Sequence, residues 1–404
     1  METTTMSSSS LRASPLLNLD VLAFLCTFLT NDRDLLSFSM TCSALRPAAV
    51  QHLLRSHSVV LRSPNSICKF HDFVFSDATA RLPHIIALDI HLRINDPQLL
   101  TKGHIERLLA ILSHASSLKS LGLYDYHRIR DPGCFDDPRI ATAVGKLTAL
   151  RNLTVVHCNK TDKIVAAVCA PLTSLTITRF FPEFDFLIPT SVSQLLSHLQ
   201  WSLETLSLDS LRLNTNSLSS KFAPNHNLRS LFLHGFEGAP YLSVLLELFP
   251  RLSGTLSVLL DFVPNGVNRI AFPELRELNL KAQESRTWRG LQHLICDVSI
   301  LYVLGLKCPI DLLSTHSRYS SSRPLLTESL RENPCQRLNL HVKTFGGLEV
   351  PQGLIPPETA AVLTHLTLCL VCVDSPEISG ADFPILQLHA LWVRSTQHGR
   401  YNSQ

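Results

Sequence analysis

The sequence predicts an α/β fold: a short helical module at the N terminus, then an irregular solenoid of strand-and-helix repeats closing into a horseshoe. Three observations carry this expectation. Residues 15–56 set leucines at helical intervals between small polar clusters, the triplet pattern LxxLxL recurs from about residue 80 to 394, and the hydrophobic fraction of 45% over 404 residues allows a large buried interior.

Taken in chain order, residues 1–14 open with "METTTMSSSS" and read as a disordered, Ser/Thr-rich segment. The nearest apolar run is broken by Asn18, Asp20 and Thr27, which excludes a secretory core or a membrane span and points to a soluble, cytoplasmic or nuclear chain that is not secreted. Lys and Arg number 36 against 33 Asp and Glu, and a net charge of +3 is too small for a nucleic-acid footprint. Neither nucleic acid nor membrane is expected as a partner. The 11 cysteines are scattered singly, as reduced thiols acting as small apolar groups would be, so the triplets at Asn152 and Asn159 read as chance glycosylation matches.

Residues 15–56 predict three helices. Leu22, Leu25, Phe28 and Leu29 share the first face, with Asp20 in the first turn; "TNDRD" ends that helix and caps the next. Leu35, Phe38 and Cys42 make the second face. Leu45, Ala49 and Leu53 make the third, with Pro47 tolerable because it falls in the first turn. Three helices in about 40 residues sit at the limit of independent folding, so the module needs a partner surface or a neighbouring domain.

Residues 57–80 read as a connector, 81–394 as the repeat domain and 395–404 as a tail. Strict all-leucine copies of LxxLxL begin at Leu118, Leu203, Leu208, Leu228, Leu275, Leu301 and Leu363. The 74 leucines predict roughly two such copies by chance. Looser copies are Ile85/Leu88/Ile90, Leu150/Leu153/Val155, Leu172/Leu175/Ile177, Cys335/Leu338/Leu340 and Leu388/Leu391/Val393, with a degenerate one near Leu252. Taking central leucines at 88, 121, 153, 175, 206, 231, 278, 304, 338, 366 and 391, and allowing for the degenerate copy, the mean interval is about 27.5 residues. Helical returns are expected at 103–115, 192–201 and 241–249. Since no single unit buries its leucines, stacking must stabilise the array.

This region resembles the irregular leucine-rich repeats attached to many F-box proteins. It departs from regular repeats in one respect: the Asn or Cys expected three residues after the last leucine occurs only as Cys158, while Phe180, Leu211, Phe236, Gln283 and Lys343 fill that place. An ordinary leucine-rich α/β domain is the alternative.

The N-terminal helices resemble an F-box. Leu17, Asp20, Val21, Leu22, Leu25, Leu29, Asp34 and Leu35 stand at the family's positions, and Cys42 and Leu45 match its later segment. Asn18 replaces the family's proline, and Pro15 lies three residues too early. The resemblance implies a substrate receptor of a cullin-RING ubiquitin ligase. Leu17, Leu19, Asp20, Val21, Leu22, Leu25, Leu29, Leu35, Cys42 and Leu45 would face the adaptor, and through it the cullin, while the repeats hold a target protein. Catalysis would then come from proximity, with no chemical group supplied by this chain and no cofactor.

The remaining motifs agree with a non-enzymatic reading. "CLVC" at Cys369 and Cys372 lacks a second Cys or His pair, so a buried pair is expected and no metal. Asp125, His127 and Asp131 sit in a polar loop without a nucleophile motif, and 15 sparse glycines form no phosphate loop. Tyr124, Tyr126, His127, Arg128 and Arg130 are candidates for target recognition, as are Arg286, Trp288 and Arg289, because Tyr, Trp and Arg dominate protein interfaces. For Trp288 the alternative is packing within its own repeat. A repeat scaffold with a plain helical cap, or an enzyme on an α/β domain, are the other function classes.

Overall fold

A computed structural model describes residues 18–93, 100–126, 133, 135–178, 199, 201–209, 224–235, 241–259, 272–317, 323–345, 354–373 and 385–390. Residues 1–14 and 395–404 therefore lie outside the described residues, as does most of the helix expected at 192–201. The chain divides into two compact units, residues 1–122 and 123–404.

The first unit begins with α1 (Leu19–Leu25), a 3-10 turn (Cys26–Phe28), α2 (Asp32–Thr41) and α3 (Arg46–Ser56). Side chains cap the first two helices: Asn18 accepts from the Asp20 N–H at 2.9 Å, and Asn31 from the Arg33 N–H at 3.0 Å. Pro47 sits in the first turn of α3, where its missing N–H costs nothing. Cys26, Leu35 and Ala49 form a small buried core, with Leu29, Phe38 and Leu53 packed against it.

Residues 57–80, read from sequence as a connector, are folded. They hold β1 (Val59–Leu61), α4 (Pro64–Phe75) and the start of α5 (Ala78–Arg81), followed by β2 (Ala87–Arg93) and α6 (Lys102–His114). β1 pairs in parallel with β2, Val59 opposite Leu88 and Leu61 opposite Ile90. β1 escapes an LxxLxL search because its apolar residues are two valines and one leucine. α6 realises the helix expected at 103–115, burying Leu108, Ile111 and Leu112. β3 (Ser120–Tyr126) spans the division between the units.

The second unit alternates strands and helices: α7 (Pro138–Gly145), β4 (Asn152–Val156), α8 (Thr161–Ala167), β5 (Ser174–Thr178), β6 (Thr205–Asp209), β7 (Ser230–His234), α9 (Leu242–Leu248), β8 (Thr255–Leu259), α10 (Phe272–Ser285), β9 (Leu291–Asp297), α11 (Val298–Leu304), β10 (Ile310–Ser317), α12 (Arg323–Glu332), β11 (Arg337–Phe345), α13 (Pro357–Val362), β12 (His365–Val373) and β13 (Ile385–Ala390). From β4 to β12 each strand pairs in parallel with the next, so the unit is a stacked repeat array. The register aligns Leu153, Leu175, Leu206, Leu231, Leu256, Leu294, Leu313, Leu338 and Leu366 strand to strand, at intervals from 19 to 38 residues. Two residues on lies a second row, apolar except at Thr315: Val155, Ile177, Leu208, Leu233, Val258, Cys296, Thr315, Leu340 and Leu368.

Three sequence expectations need correction. The strict copies at Leu275 and Leu301 are in helices, α10 and α11, so the central leucines expected at 278 and 304 belong at Leu294 and Leu313. Residues three apart adjoin on a helix as well, so the first half of LxxLxL fits either structure. The strands instead carry Leu291/Leu294/Cys296 and Ile310/Leu313/Thr315, whose last position is not leucine. The degenerate copy near Leu252 is a true strand, β8. The copy at Leu388 lies in β13, which runs antiparallel to β12 with Ala390 opposite Leu366; Leu391 and Val393 lie outside the described residues.

α10 also inverts the usual burial. Arg276, Asn279 and Gln283 face inward while Leu278 is 55% exposed. The inward polar groups bind backbone atoms: Asn279 accepts from the Leu242 N–H at 2.8 Å and donates to the Val303 carbonyl at 2.9 Å. Gln283 donates to the Gly305 carbonyl at 2.9 Å and accepts from the Lys307 N–H at 2.8 Å. Gly305, at φ 49°, ends α11 in the left-handed region. Individual amides thus satisfy the loops where a regular repeat would use one asparagine ladder.

Two measurements test the array. Leu231→Ala should cost about 2 to 5 kcal/mol and should lower hydrogen-exchange protection in β6, β7 and β8 more than in β11; uniform loss would indicate one undivided core. Thr315 is fully buried and its hydroxyl has no hydrogen-bond partner, so Thr315→Val should stabilise the protein by about 1 kcal/mol in urea unfolding.

Candidate interaction surfaces

In the N-terminal module the sequence faces rotate relative to the real core. The 3-10 turn at Cys26–Phe28 has fewer residues per turn than an α-helix, which buries Cys26 and swings Phe28 outward to 63% exposure. Leu19, Val21, Phe24 and Leu25 are exposed on α1, and Leu36 and Met40 on α2, with Met40 reaching 78%. Phe24 and Phe28 meet edge to face at 5.0 Å. Among the residues expected to face an adaptor, Leu19, Asp20, Val21 and Leu25 are exposed, Leu22, Leu29 and Cys42 are half-buried, and Leu35 and Leu45 are buried. Leu17 lies outside the described residues. Leu35 holds the module together at 0% exposure, so its contribution to any docking is indirect. Sequence reasoning missed Leu36 and Met40 and placed Phe24 on no face. Their signal was present, since they are the apolar residues left over once Leu35, Phe38 and Ala49 fill the core.

The target-recognition candidates separate. Tyr124 and Tyr126 project from β3 with near-parallel rings 6.5 Å apart. The Tyr126 ring meets His157 at 5.6 Å, and His157 has the left-handed φ of 59°. Burial keeps the His157 imidazole below its usual pKa, opposed by the Asp209 carboxylate. His127, Arg128 and Arg130 lie outside the described residues, as does Asp131. Asp125 is buried. Arg286 and Arg289 are exposed, Arg286 donating to the Leu246 carbonyl at 3.5 Å. Trp288 is 2% exposed and its indole N–H donates to the Phe249 carbonyl at 2.8 Å. That bond and burial give Trp288 a packing role and leave it no face for a target.

The outward side of strands β7 to β12 carries a feature that sequence spacing alone could not assemble. His293 contacts the Ser314 hydroxyl at 2.9 Å, and Asn339 donates to the same hydroxyl at 3.3 Å, a polar chain across three strands. His316 and His341 stack at 4.7 Å. His234 contacts the Ser257 hydroxyl at 3.0 Å. Burial and the nearby Arg337 guanidinium lower the pKa of His293.

Nucleophilic chemistry finds little support in the thiols. Burial pushes Cys308 and Cys335 up to about 11 and Cys296 higher still, so they remain protonated. Cys369 is buried, and the side chain of Cys372 lies outside the described residues. Among the described residues no three His, Cys, Asp or Glu side chains converge on a common point that could hold a metal ion. No helix among them is long and apolar enough to cross a membrane.

The chain is therefore a stacked, parallel α/β repeat protein whose first unit opens with a small helical module. No protein-family model matches it, and no curated protein matches it. Among solved structures it is similar to one described as "Crystal structure of Rad7 and Elc1 complex in yeast", with 14% identity, 87% of this chain and 88% of that chain covered, and a TM-score of 0.41. A likeness that slight carries no argument about partner or activity.

Trp288 and Tyr126 should respond oppositely to truncation. Trp288→Ala is expected to cost about 3 to 5 kcal/mol in denaturant unfolding, whereas Tyr126→Ala should stay within about 0.5 to 1 kcal/mol of the native chain.

Proposed function

We propose that this chain is a substrate receptor of a cullin-RING ubiquitin ligase, docking an adaptor through its N-terminal helices and holding a target protein on its repeats. The observation that carries the reading is the exposed apolar surface of α1, the 3-10 turn and α2. Leu19, Val21, Phe24, Leu25, Phe28, Leu36 and Met40 are each 42% exposed or more, on a module whose central buried cluster is only Cys26, Leu35 and Ala49. Fully burying a side chain of this size is favourable by about 1.5 to 3 kcal/mol, so an apolar groove on a partner completes what the module cannot. Asn18 agrees with this role. Its φ of −63° is the value a proline would impose, and its side chain caps α1, so the entry turn is formed without the proline.

In this reading the chain is not an enzyme. A target lysine held near the thioester of a charged conjugating enzyme reacts at a raised effective concentration, and this chain contributes geometry alone.

The capped-scaffold reading has one observation in its favour. α3 packs onto the start of the repeats, with the Arg55 guanidinium donating to His84 at 2.9 Å and the Ile86 N–H to the Leu54 carbonyl at 3.4 Å. That contact uses α3 and leaves the exposed faces of α1 and α2 unexplained, so it places second.

Phe24→Asp combined with Phe28→Asp separates the two. Both side chains are exposed, so stability should change by no more than about 1 kcal/mol, while carboxylates forced into an apolar groove cost several kcal/mol and should abolish capture of purified adaptor. Adaptor captured equally by this variant and the native chain would remove the docking face and leave the scaffold.

A further inference from the structure

We propose that the outward face of β9 to β12 is a docking surface for an acidic segment of a partner protein, and that docking there takes up protons. This rests on the reading of the repeats as the target-holding part of the chain and names the chemistry of the target.

The argument begins with register. Because β9, β10, β11 and β12 pair in parallel, residues far apart in sequence line up in rows across the strands. One outward row is His293, Leu312, Arg337 and His365; the next is Ile295, Ser314, Asn339 and Thr367; the third is Asp297, His316, His341 and Cys369. Arg337 and His365 are exposed, and His293, His316 and His341 are half-exposed. Four imidazoles and a guanidinium thus face outward over four adjacent strands against one carboxylate, Asp297, which is buried beside His316. Cys369, the remaining ionisable side chain of these rows, is a buried thiol. On the opposite side α11 packs beneath β9 and β10 and offers no charged side chain, only Tyr302 among ionisable types. α11 therefore does not neutralise the face.

Between the basic positions lie groups that recognise carboxylates without charge. The Ser314 hydroxyl is already shared by His293 and Asn339, so it is oriented by both neighbours. Such a surface pairs an ionic attraction with fixed donors, the combination that suits the side chains of Asp and Glu in an extended or helical segment. The sign of the proton coupling follows. In the free chain, burial and the Arg337 charge hold His293 below its ordinary pKa. A carboxylate brought onto the face favours the protonated imidazole, so the pKa rises on docking and protons are bound. Affinity should grow as pH falls through the histidine range.

The test uses the full chain and a fluorescein-labelled octaglutamate peptide, read by anisotropy at pH 5.8 and 7.8. Saturable binding is expected, at least about fivefold tighter at the lower pH. Arg337→Gln together with His341→Gln should remove most of the binding and most of its pH dependence. His365→Ala, at an exposed position, should weaken binding severalfold with no change in thermal midpoint, which guards against a fold defect in the double variant. Absence of saturable binding, binding that ignores pH, or binding untouched by these variants would overturn the proposal. An octathymidylate oligonucleotide bound as tightly as the peptide would overturn it too, since the surface would then read phosphate. Adaptor capture measured on the same samples keeps the two ideas apart. A native chain that captures adaptor but binds no peptide ends this inference alone, and a native chain that binds peptide but captures no adaptor ends the ligase reading alone.

Discussion

The constraint on which the second unit depends is the strand-to-strand register of its inward leucines. Leu153, Leu175, Leu206, Leu231, Leu256, Leu294, Leu313 and Leu338 stand opposite one another, each at most 1% exposed. A one-residue slip at any strand would turn its leucines outward and bring Ser, Thr, His or Asn into the core. The same register therefore decides both sides at once. Fixing the leucines beneath fixes the histidines above, and the outward rows are a consequence of the inward one.

The array tolerates irregular spacing because only the strands are held to it. Intervals between aligned leucines vary twofold, and the extra residues go into returns whose backbone groups are satisfied individually. α10 is the clearest case. It fills the longest interval, turns Arg276, Asn279 and Gln283 toward the interior, and uses their side chains to hold the backbone of its neighbours. Arg276 reaches the Tyr302 carbonyl and Glu332, linking α10 to α11 and α12. A buried charge is acceptable there because it is paired with Glu332 and also donates to the Tyr302 carbonyl.

The N-terminal module solves the opposite problem. Its interior is satisfied by Cys26, Leu35 and Ala49 with a few partly buried neighbours, and seven large apolar side chains remain in solvent. A scattering of single exposed apolar residues is ordinary, but this concentration within about twenty residues is what a docking element requires. The proposed division of labour follows from these two parts: a module that lacks surface complement, and an array that has a complete core and a varied outer face.

By itself the sequence determined that strands repeat, that they stack, where three short helices begin, and that Pro47 belongs to a first turn. Each is a local matter of period two, period 3.6 or capping, and local patterns survive in a string of letters. It could not decide which LxxLxL copies are strands, because Leu275 and Leu301 satisfy the pattern inside helices, while β1, β9 and β10 carry Val, Cys or Thr at places where leucine was sought. It could not see that the turn at Cys26 rotates Phe28 outward or that Trp288 is sealed against the Phe249 carbonyl. Above all, His293, Arg337 and His365 are separated by 44 and 28 residues and become neighbours on one face only through parallel pairing. Non-local register, which depends on every strand being seated at once, is the quantity that only the tertiary structure supplies.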